Sequence, residues 1–206
     1  LAAKLVAKGS KVALVESREL GGTCVNRGCT PTKTLRKSAR VAHLARRAAE
    51  FGLEVGPVQV NFEAAMQRMH KRVDESRAGL ESWLGNLDGL TIVKAHARLA
   101  GRAGKDFIVK AGVRTLQAPK RVLNTGTSAF IPPIPGLKDT LFLDNDSLLQ
   151  LRELPRKLVI IGGGYISLEM GQIFRRLGSE VSIIEIGPRL TSHEDEDVSG
   201  AIADML

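Results

Sequence analysis

At 206 residues the chain is too long to be a disulfide-stapled miniprotein and long enough for one large or two smaller cored domains of ~100–200 residues each. Its 43% hydrophobic and 25% charged residues, with 21 glycines, exclude a disordered, collagenous or coiled-coil chain. Lys and Arg outnumber Asp and Glu by 30 to 22, a surplus that suits nucleic acid, anionic cofactors or solvated helix faces. It is read as concentrated in residues 36–47 and 68–77, and with aromatics for base stacking scarce, nucleic acid is not expected.

No apolar run approaches the ~18–20 residues that cross a bilayer, and residues 1–9 lack the apolar core and cleavage site of a signal peptide. A cytoplasmic chain with no membrane partner is expected. Residues 1–9 read as the end of an amphipathic helix closed by a glycine before a strand at 11–16. With no initiator Met, the chain is expected to begin inside an element. Residues 195–206 look like the start of a helix with acidic groups in its first turn, so it is expected to end inside one too.

After the Gly21-Gly22 turn, residues 31–50 carry helix formers with Leu35, Ala39 and Ala42 on one face. A second helix is predicted over 62–87, with Asn61 as N-cap and Phe62, Met66, Met69, Val73, Leu80, Leu84 and Leu87 at helical spacing. The methionines and Trp83 are expected in the core. Residues 91–125 read as short strands broken by glycines, an antiparallel meander or hairpins. The proline-rich run 131–136 belongs to neither a helix nor a central strand and reads as the exit from one domain. From 158 onward strand, glycines, helix 165–177 and strand 180–185 spell a βαβ unit. Residues 8–16 also echo 177–185, each a helix end, a turn, a buried strand and a terminal glutamate.

The run Gly162-Gly163-Gly164-Tyr165-Ile166-Ser167 follows an apolar strand and opens a helix, the context of a dinucleotide fingerprint. Gly162 permits the tight turn, Gly164 lets the backbone approach a pyrophosphate, and Ser167 takes the place of the third glycine. The helix N-terminus offers N–H groups and positive potential to phosphates. Glu185 closes the next strand 23 residues after Gly162, near the ~20 expected of an acid that accepts the ribose hydroxyl. That favours NADH over NADPH, with Arg189 in the next loop arguing the other way. A tight strand–helix turn without a ligand is the plain alternative. If the echo is real, Glu16 is a second such acid whose glycine fingerprint lies before Leu1; otherwise it is a solvated strand end.

The two cysteines, Cys24 and Cys29, are separated by four residues. Zinc would need two further ligands, and Cys-x-x-Cys redox turns are shorter. A structural staple is unexpected in a reducing compartment. A catalytic dithiol at a helix start is the better account, with free N–H groups, Lys33 and Arg27 favouring a thiolate; two unrelated buried thiols are the alternative.

The stretch from Gly21 to Lys33, with Thr125-Gly126-Thr127 and the run from Gly162 to Glu169, resembles the FAD-dependent pyridine nucleotide–disulfide oxidoreductases of the glutathione reductase, dihydrolipoamide dehydrogenase and mercuric reductase type. The Cys-x4-Cys motif is specific, and Thr30-Pro31-Thr32-Lys33 is most similar to the mercuric reductase group. The resemblance implies an α/β fold of two FAD/NAD(P)-binding Rossmann-like units, with parallel sheets and a small antiparallel meander. It implies an FAD-binding domain at 1–150 without its first fingerprint, the first part of an NAD(P)-binding domain at 151–206, and a C-terminal dimerisation domain outside the chain.

By the same resemblance, Cys29 would face the flavin and Cys24 would meet the substrate, with Lys33 near the flavin ring and Glu169 facing it. Glu16 would hold the FAD ribose; Gly22, Thr23, Lys33 and, through backbone groups by the adenine, Ala97 would contact FAD; Thr125 and Gly126 would approach its phosphates. NAD(P)H, with NADH favoured, would bind at Gly162, Gly164, Tyr165, Ile166 and Glu185, with Tyr165 as an aromatic gate. Helix-start packing for Tyr165 and a surface acid for Glu169 are the plain alternatives. No resident metal is implied. The family's His–Glu pair comes from the partner of a homodimer, outside this chain. The implied activity is NAD(P)H-driven reduction of a disulfide or thiol-bound metal. Dihydrolipoamide dehydrogenase or a low-molecular-weight disulfide reductase are the enzyme alternatives, and a nucleotide-binding module is the non-enzyme one.

Overall fold

The computed structural model describes residues 1–206. They fall into two compact units, Leu1–Gly28 with Val73–Leu137, and Cys29–Arg72 with Lys138–Leu206. No helix is long and apolar enough to cross a membrane.

In the first unit, α1 (Ala2–Val6) leads to β1 (Val12–Glu16), and α2 (Gly22–Arg27) follows the Gly21-Gly22 turn. Strand β2 (Leu90–Lys94) pairs with β1 in parallel, from Val12↔Leu90 to Glu16↔Lys94. This corrects the expectation that residues 91–125 form antiparallel strands throughout. A parallel pair needs a crossover of a dozen or more residues, and residues 17–89 supply it, so β2 returns beside β1. Only β3 (Ala97–Ala103), β4 (Asp106–Ala111) and β5 (Arg114–Ala118) form the antiparallel meander, in that spatial order. Residues 121–134 have no regular structure.

The second unit is built on α3 (Cys29–Arg46), the first half of α4 (Phe62–Gly85), and the unit β6 (Lys157–Ile161), α5 (Tyr165–Leu177) and β7 (Glu180–Ile184), followed by α6 (Glu196–Asp204). Strands β6 and β7 run parallel, as a right-handed βαβ crossover requires. Helix α3 begins two residues before Pro31, so the proline lies buried in its first turn, where a missing N–H costs nothing. The core is the seam between α3 and α5: Leu35 and Ala39 from one, Met170, Ile173, Phe174 and Leu177 from the other, all buried. Phe62 of α4 meets Phe174 with ring centroids 6.0 Å apart.

Helix α4 is capped as expected, since Asn61 Oδ1 accepts the Ala64 N–H at 2.9 Å. Its buried stripe is Phe62, Met66, Met69, Val73 and Leu84. Trp83, expected in the core, is instead 55% exposed. It stands one residue from Leu84, about 100° around the helix, which turns the indole off the buried stripe.

Candidate functional site

In the second unit the glycine run forms the bend between β6 and α5. Gly162 has φ +102° and its N–H continues the sheet to the Ile184 carbonyl at 2.8 Å; a side chain would be strained there. Gly164 is the extended N-cap residue, with no side chain capping α5 and nothing within 4 Å of the position a Cβ would occupy. The first turn of α5 therefore keeps its N–H groups and an open approach for an anionic group. Tyr165 and Ile166, next on the helix, are 75% and 53% exposed.

Glu185 lies directly after β7 and is held by the same turn. Its Oε2 accepts the Gly163 N–H at 2.5 Å and its Oε1 accepts the Gly187 N–H at 2.8 Å. These two amides, that of Gly187 foremost, hold the carboxyl below its ordinary range. Because the folded value is depressed, the contribution of this clasp to stability is present above the unfolded value and lost as pH falls through the folded one. Nucleotide affinity is accordingly expected to stay level from pH 8 to pH 5 as far as this group is concerned. A loss centred above the ordinary carboxylate value of about 4.3, abolished in Glu185→Gln, would show that the clasp is absent.

Gly163, which the sequence pattern leaves as the variable position of the fingerprint, is the most confined of the three glycines. A Cβ there would lie 2.7 Å from Leu190 Cδ2 and 3.0 Å from Glu185 Oε2, and its carbonyl accepts the Thr191 N–H at 2.9 Å. A close helix–sheet approach is made further along α5 by Gly171, whose added Cβ would sit 3.3 Å from Ile183 Cδ1 and 3.5 Å from Ile160 Cδ1. Gly163→Ala is expected to displace Glu185 and Leu190, cost about 1–3 kcal/mol of stability and weaken NADH binding roughly tenfold. Thermal unfolding and nucleotide titration of the variant check both.

Helices α3 and α5 bring together two of the singled-out residues that are 136 positions apart in sequence. Lys33 Nζ donates to Glu169 Oε1 at 2.5 Å. Further along α3, Arg46 Nη1 donates to the Arg176 carbonyl at the end of α5, also at 2.5 Å, a cation at a helix C-terminus. Burial, with the nearby Arg176 and Arg47 guanidiniums, holds His43 below the usual histidine range. Cys29 opens α3 and is exposed, so its sulfur is reachable and sits where the helix offers unpaired N–H groups.

In the first unit Cys24, also exposed, lies within α2. The motif around it is fastened by a residue the sequence reading passed over. Asn26 Nδ2 donates to the Leu20 and Gly22 carbonyls at 3.1 and 2.9 Å, and its Oδ1 accepts from Arg77 Nε at 3.0 Å. Arg27, expected to favour a thiolate, faces Glu19 at 3.6 Å. Gly28 is confined too, since a Cβ there would stand 3.0 Å from the Thr23 carbonyl oxygen.

The echo between the two strand ends has a structural counterpart. Glu16 Oε1 accepts the Arg18 N–H at 2.8 Å, the same two-residue carboxylate–amide turn made by Glu185 and Gly187 at 2.8 Å. Glu16 thus stands at the end of β1 as Glu185 does after β7. Gly22, Thr23, Ala97, Thr125 and Gly126 are all exposed in this unit, and nothing lies within 4 Å of a Cβ built on Gly22 or Gly126. Open glycine backbone and an oriented carboxylate fit a nucleotide in each unit.

Comparison with known proteins agrees with these features. The sequence profile of the family described as "Pyridine nucleotide-disulphide oxidoreductase" matches residues 1–206. Mercuric reductase of Bacillus cereus is 34% identical over 207 aligned positions, covering 100% of this chain and 32% of that protein. Dihydrolipoyl dehydrogenase of Chlorobaculum parvum is 34% identical over 197 positions, 94% of this chain and 41% of that protein. The solved Cu(II) complex of the HOCl-induced flavoprotein disulfide reductase RclA from Escherichia coli superposes with a TM-score of 0.82 at 31% identity, over 99% of this chain and 43% of that one. The chain spans about a third to two fifths of the length of these relatives. With a profile match from end to end and the same FAD/NAD(P)-binding Rossmann-like architecture, the chain belongs to the pyridine nucleotide–disulphide oxidoreductase family.

Proposed function

We propose that the chain carries the nucleotide-binding and redox-dithiol parts of a flavoprotein oxidoreductase. Electrons pass from NAD(P)H to the Cys24–Cys29 pair and on to a small disulfide or a thiol-bound metal ion, as a mercuric reductase-like reaction would need. The observation that carries this reading is the Lys33–Glu169 ion pair. It joins the helix opened by Cys29 to the helix opened by the glycine cradle, so the redox sulfur and the nucleotide turn are fixed to one scaffold.

NADH is held at Gly162 and Gly164 through the α5 N-terminus, with Tyr165 and Ile166 beside it and Glu185 accepting the ribose hydroxyls. Arg189, which argues for NADPH from sequence, is drawn to Glu196 at 3.4 Å and to the Glu194 carbonyl at 3.1 Å, which favours NADH. FAD is held by Glu16, Gly22, Thr23, Lys33, Ala97, Thr125 and Gly126 within a domain of residues 1–150, with residues 151–206 opening the NAD(P) domain. When bound, FAD supplies a two-electron relay between the nicotinamide and the cysteines. Cys29 receives the electron pair and Cys24 exchanges with the substrate, so that one NAD(P)H, one proton and one disulfide give NAD(P)⁺ and two thiols. A cytoplasmic homodimer completes the reading.

The equal 34% identity to a dihydrolipoyl dehydrogenase favours a second substrate, a dithiol oxidised with NADH formation. The test is anaerobic addition of NADH to the intact protein with thiols counted by a chromogenic disulfide. Two additional thiols per chain are expected, and none in Cys24→Ser. Oxidation of NADH without any gain in thiols would overturn the proposal. Thiol-bound mercuric ion and lipoamide, offered in parallel, separate the two substrates.

A further inference from the structure

Besides the basic helical segments 36–47 and 68–77, the chain carries a third concentration of positive charge. Residues 97–121 hold seven Lys or Arg against one acid, Asp106, which is six of the surplus of eight in the whole chain. These residues are the meander β3–β4–β5 and the segment that leaves it. Its outer strands β3 and β5 each hydrogen-bond only to β4, β3 is exposed along its whole length, and β5 is exposed at every residue but Leu116.

The two edges are not equivalent. Strand β3 has a register irregularity between Leu99 and Arg102, the kind of bulge that spoils an edge for further pairing. Strand β5 pairs with β4 in unbroken register over five consecutive positions, Phe107↔Ala118 to Ala111↔Arg114. Its outer side therefore presents a straight row of alternating N–H and C=O groups. Cations stand at both ends of that row, Arg114 at its start and Lys120 and Arg121 just after it. The guanidiniums of Arg121 and Arg102 each lie 4.2 Å from the centroid of the Phe107 ring. Stacking on the ring positions both forks at little entropic cost while leaving their edges free to bind carboxylates.

We propose that the open edge of β5 is a docking strand for an extended, acidic segment of a partner polypeptide. Only another polypeptide backbone matches a row of alternating donors and acceptors; a nucleic acid or a lipid surface would use the cations and leave that row unpaired. The one aromatic ring of the meander is already engaged by two guanidiniums, which compete with any base for it. A second copy of β5 would set Arg114 and Lys120 against their own kind, so the charge that protects the edge from self-pairing selects an acidic partner. This site is independent of the proposed redox chemistry.

The experiment is fluorescence anisotropy of the intact protein with a labelled synthetic peptide alternating Glu with Val and Thr. Binding is expected to weaken at least tenfold in Arg114→Glu/Lys120→Glu and to weaken in the milder Arg114→Gln/Lys120→Gln, which removes two charges without adding any and guards against misfolding. It is also expected to weaken when alternate peptide amides are N-methylated, and to slow amide exchange in β5 of the unmodified protein. Equal binding by both double variants, equal binding of the N-methylated peptide or of a peptide with Lys for Glu, or tighter binding of a single-stranded oligonucleotide or of anionic vesicles would each overturn the proposal.

Discussion

Cys29→Ser is expected to lower NAD(P)H-driven reduction of a disulfide or thiol-bound metal by about 10³-fold or more, with nucleotide affinity unchanged. The size of the effect follows from the chemistry of exchange. In the proposed exchange the Cys24 thiolate would attack the substrate disulfide and release one thiol, and the Cys29 thiolate would resolve the mixed disulfide by closing the Cys24–Cys29 bond and release the second. NAD(P)H would supply the electron pair that reopens it; a serine hydroxyl neither ionises near neutrality nor forms a reducible bond to sulfur. The substitution removes little else. Cys29 is exposed at the first residue of α3, so no cavity opens, and serine is tolerated at a helix start. The Lys33–Glu169 pair and the glycine turn lie elsewhere on the α3–α5 scaffold and are left intact. NADH-dependent reduction of a one-electron acceptor such as ferricyanide serves as the control, because it bypasses the sulfur. Loss of disulfide reduction with the ferricyanide reaction retained places Cys29 on the electron path; retention of both would show that the pair is not the redox centre.

Phe174→Ala is expected to destabilise the second unit by about 3–5 kcal/mol and to lower its melting temperature by about 6–20 °C. Phe174 is 1% exposed and is the largest fully buried side chain. It lies where three elements meet: it projects from α5, its ring sits at 6.0 Å and 51° to that of Phe62 on α4, and α5 packs along α3. Removing the ring loses its transfer free energy and leaves a void that the other buried side chains of the α3–α5 seam, such as Leu35 and Ile173, close only in part. The consequence reaches function, since the α3–α5 seam sets the spacing of Lys33 and Glu169. Phe174→Leu, which keeps most of the volume, is expected to cost no more than about half as much. Equal losses for the two variants would show that the site relaxes freely and that the seam is not the core of this unit.

Local pattern carried much of this molecule. Helix α5 spans residues 165–177 and α4 starts at its Asn61 cap, as periodicity and capping predict, because both signals are written in neighbouring residues. The glycine turn between β6 and α5 was legible for the same reason: strand, glycines and helix follow one another within some ten residues. Trp83 was misplaced because a stripe only one residue wide at its end separates core from solvent, a distinction that composition does not make. β2 was misread because a strand's partner is set by what returns beside it after a long crossover, and its own five residues pair equally well either way.

From sequence alone come the Cys24–Cys29 spacing, the glycine turn before α5, the glutamates at 16 and 185 and the family that these resemble. They are short-range motifs whose chemistry requires fixed residue types at fixed offsets. Only the tertiary structure decided that Lys33 meets Glu169 across 136 residues, that Gly163 is the most confined glycine of the turn, that Asn26 and Arg77 fasten the cysteine motif, and that the basic residues of 97–121 flank an open sheet edge. Each depends on the packing of segments distant in sequence, where contact is determined by the shape of the core and not by the order of residues along the chain.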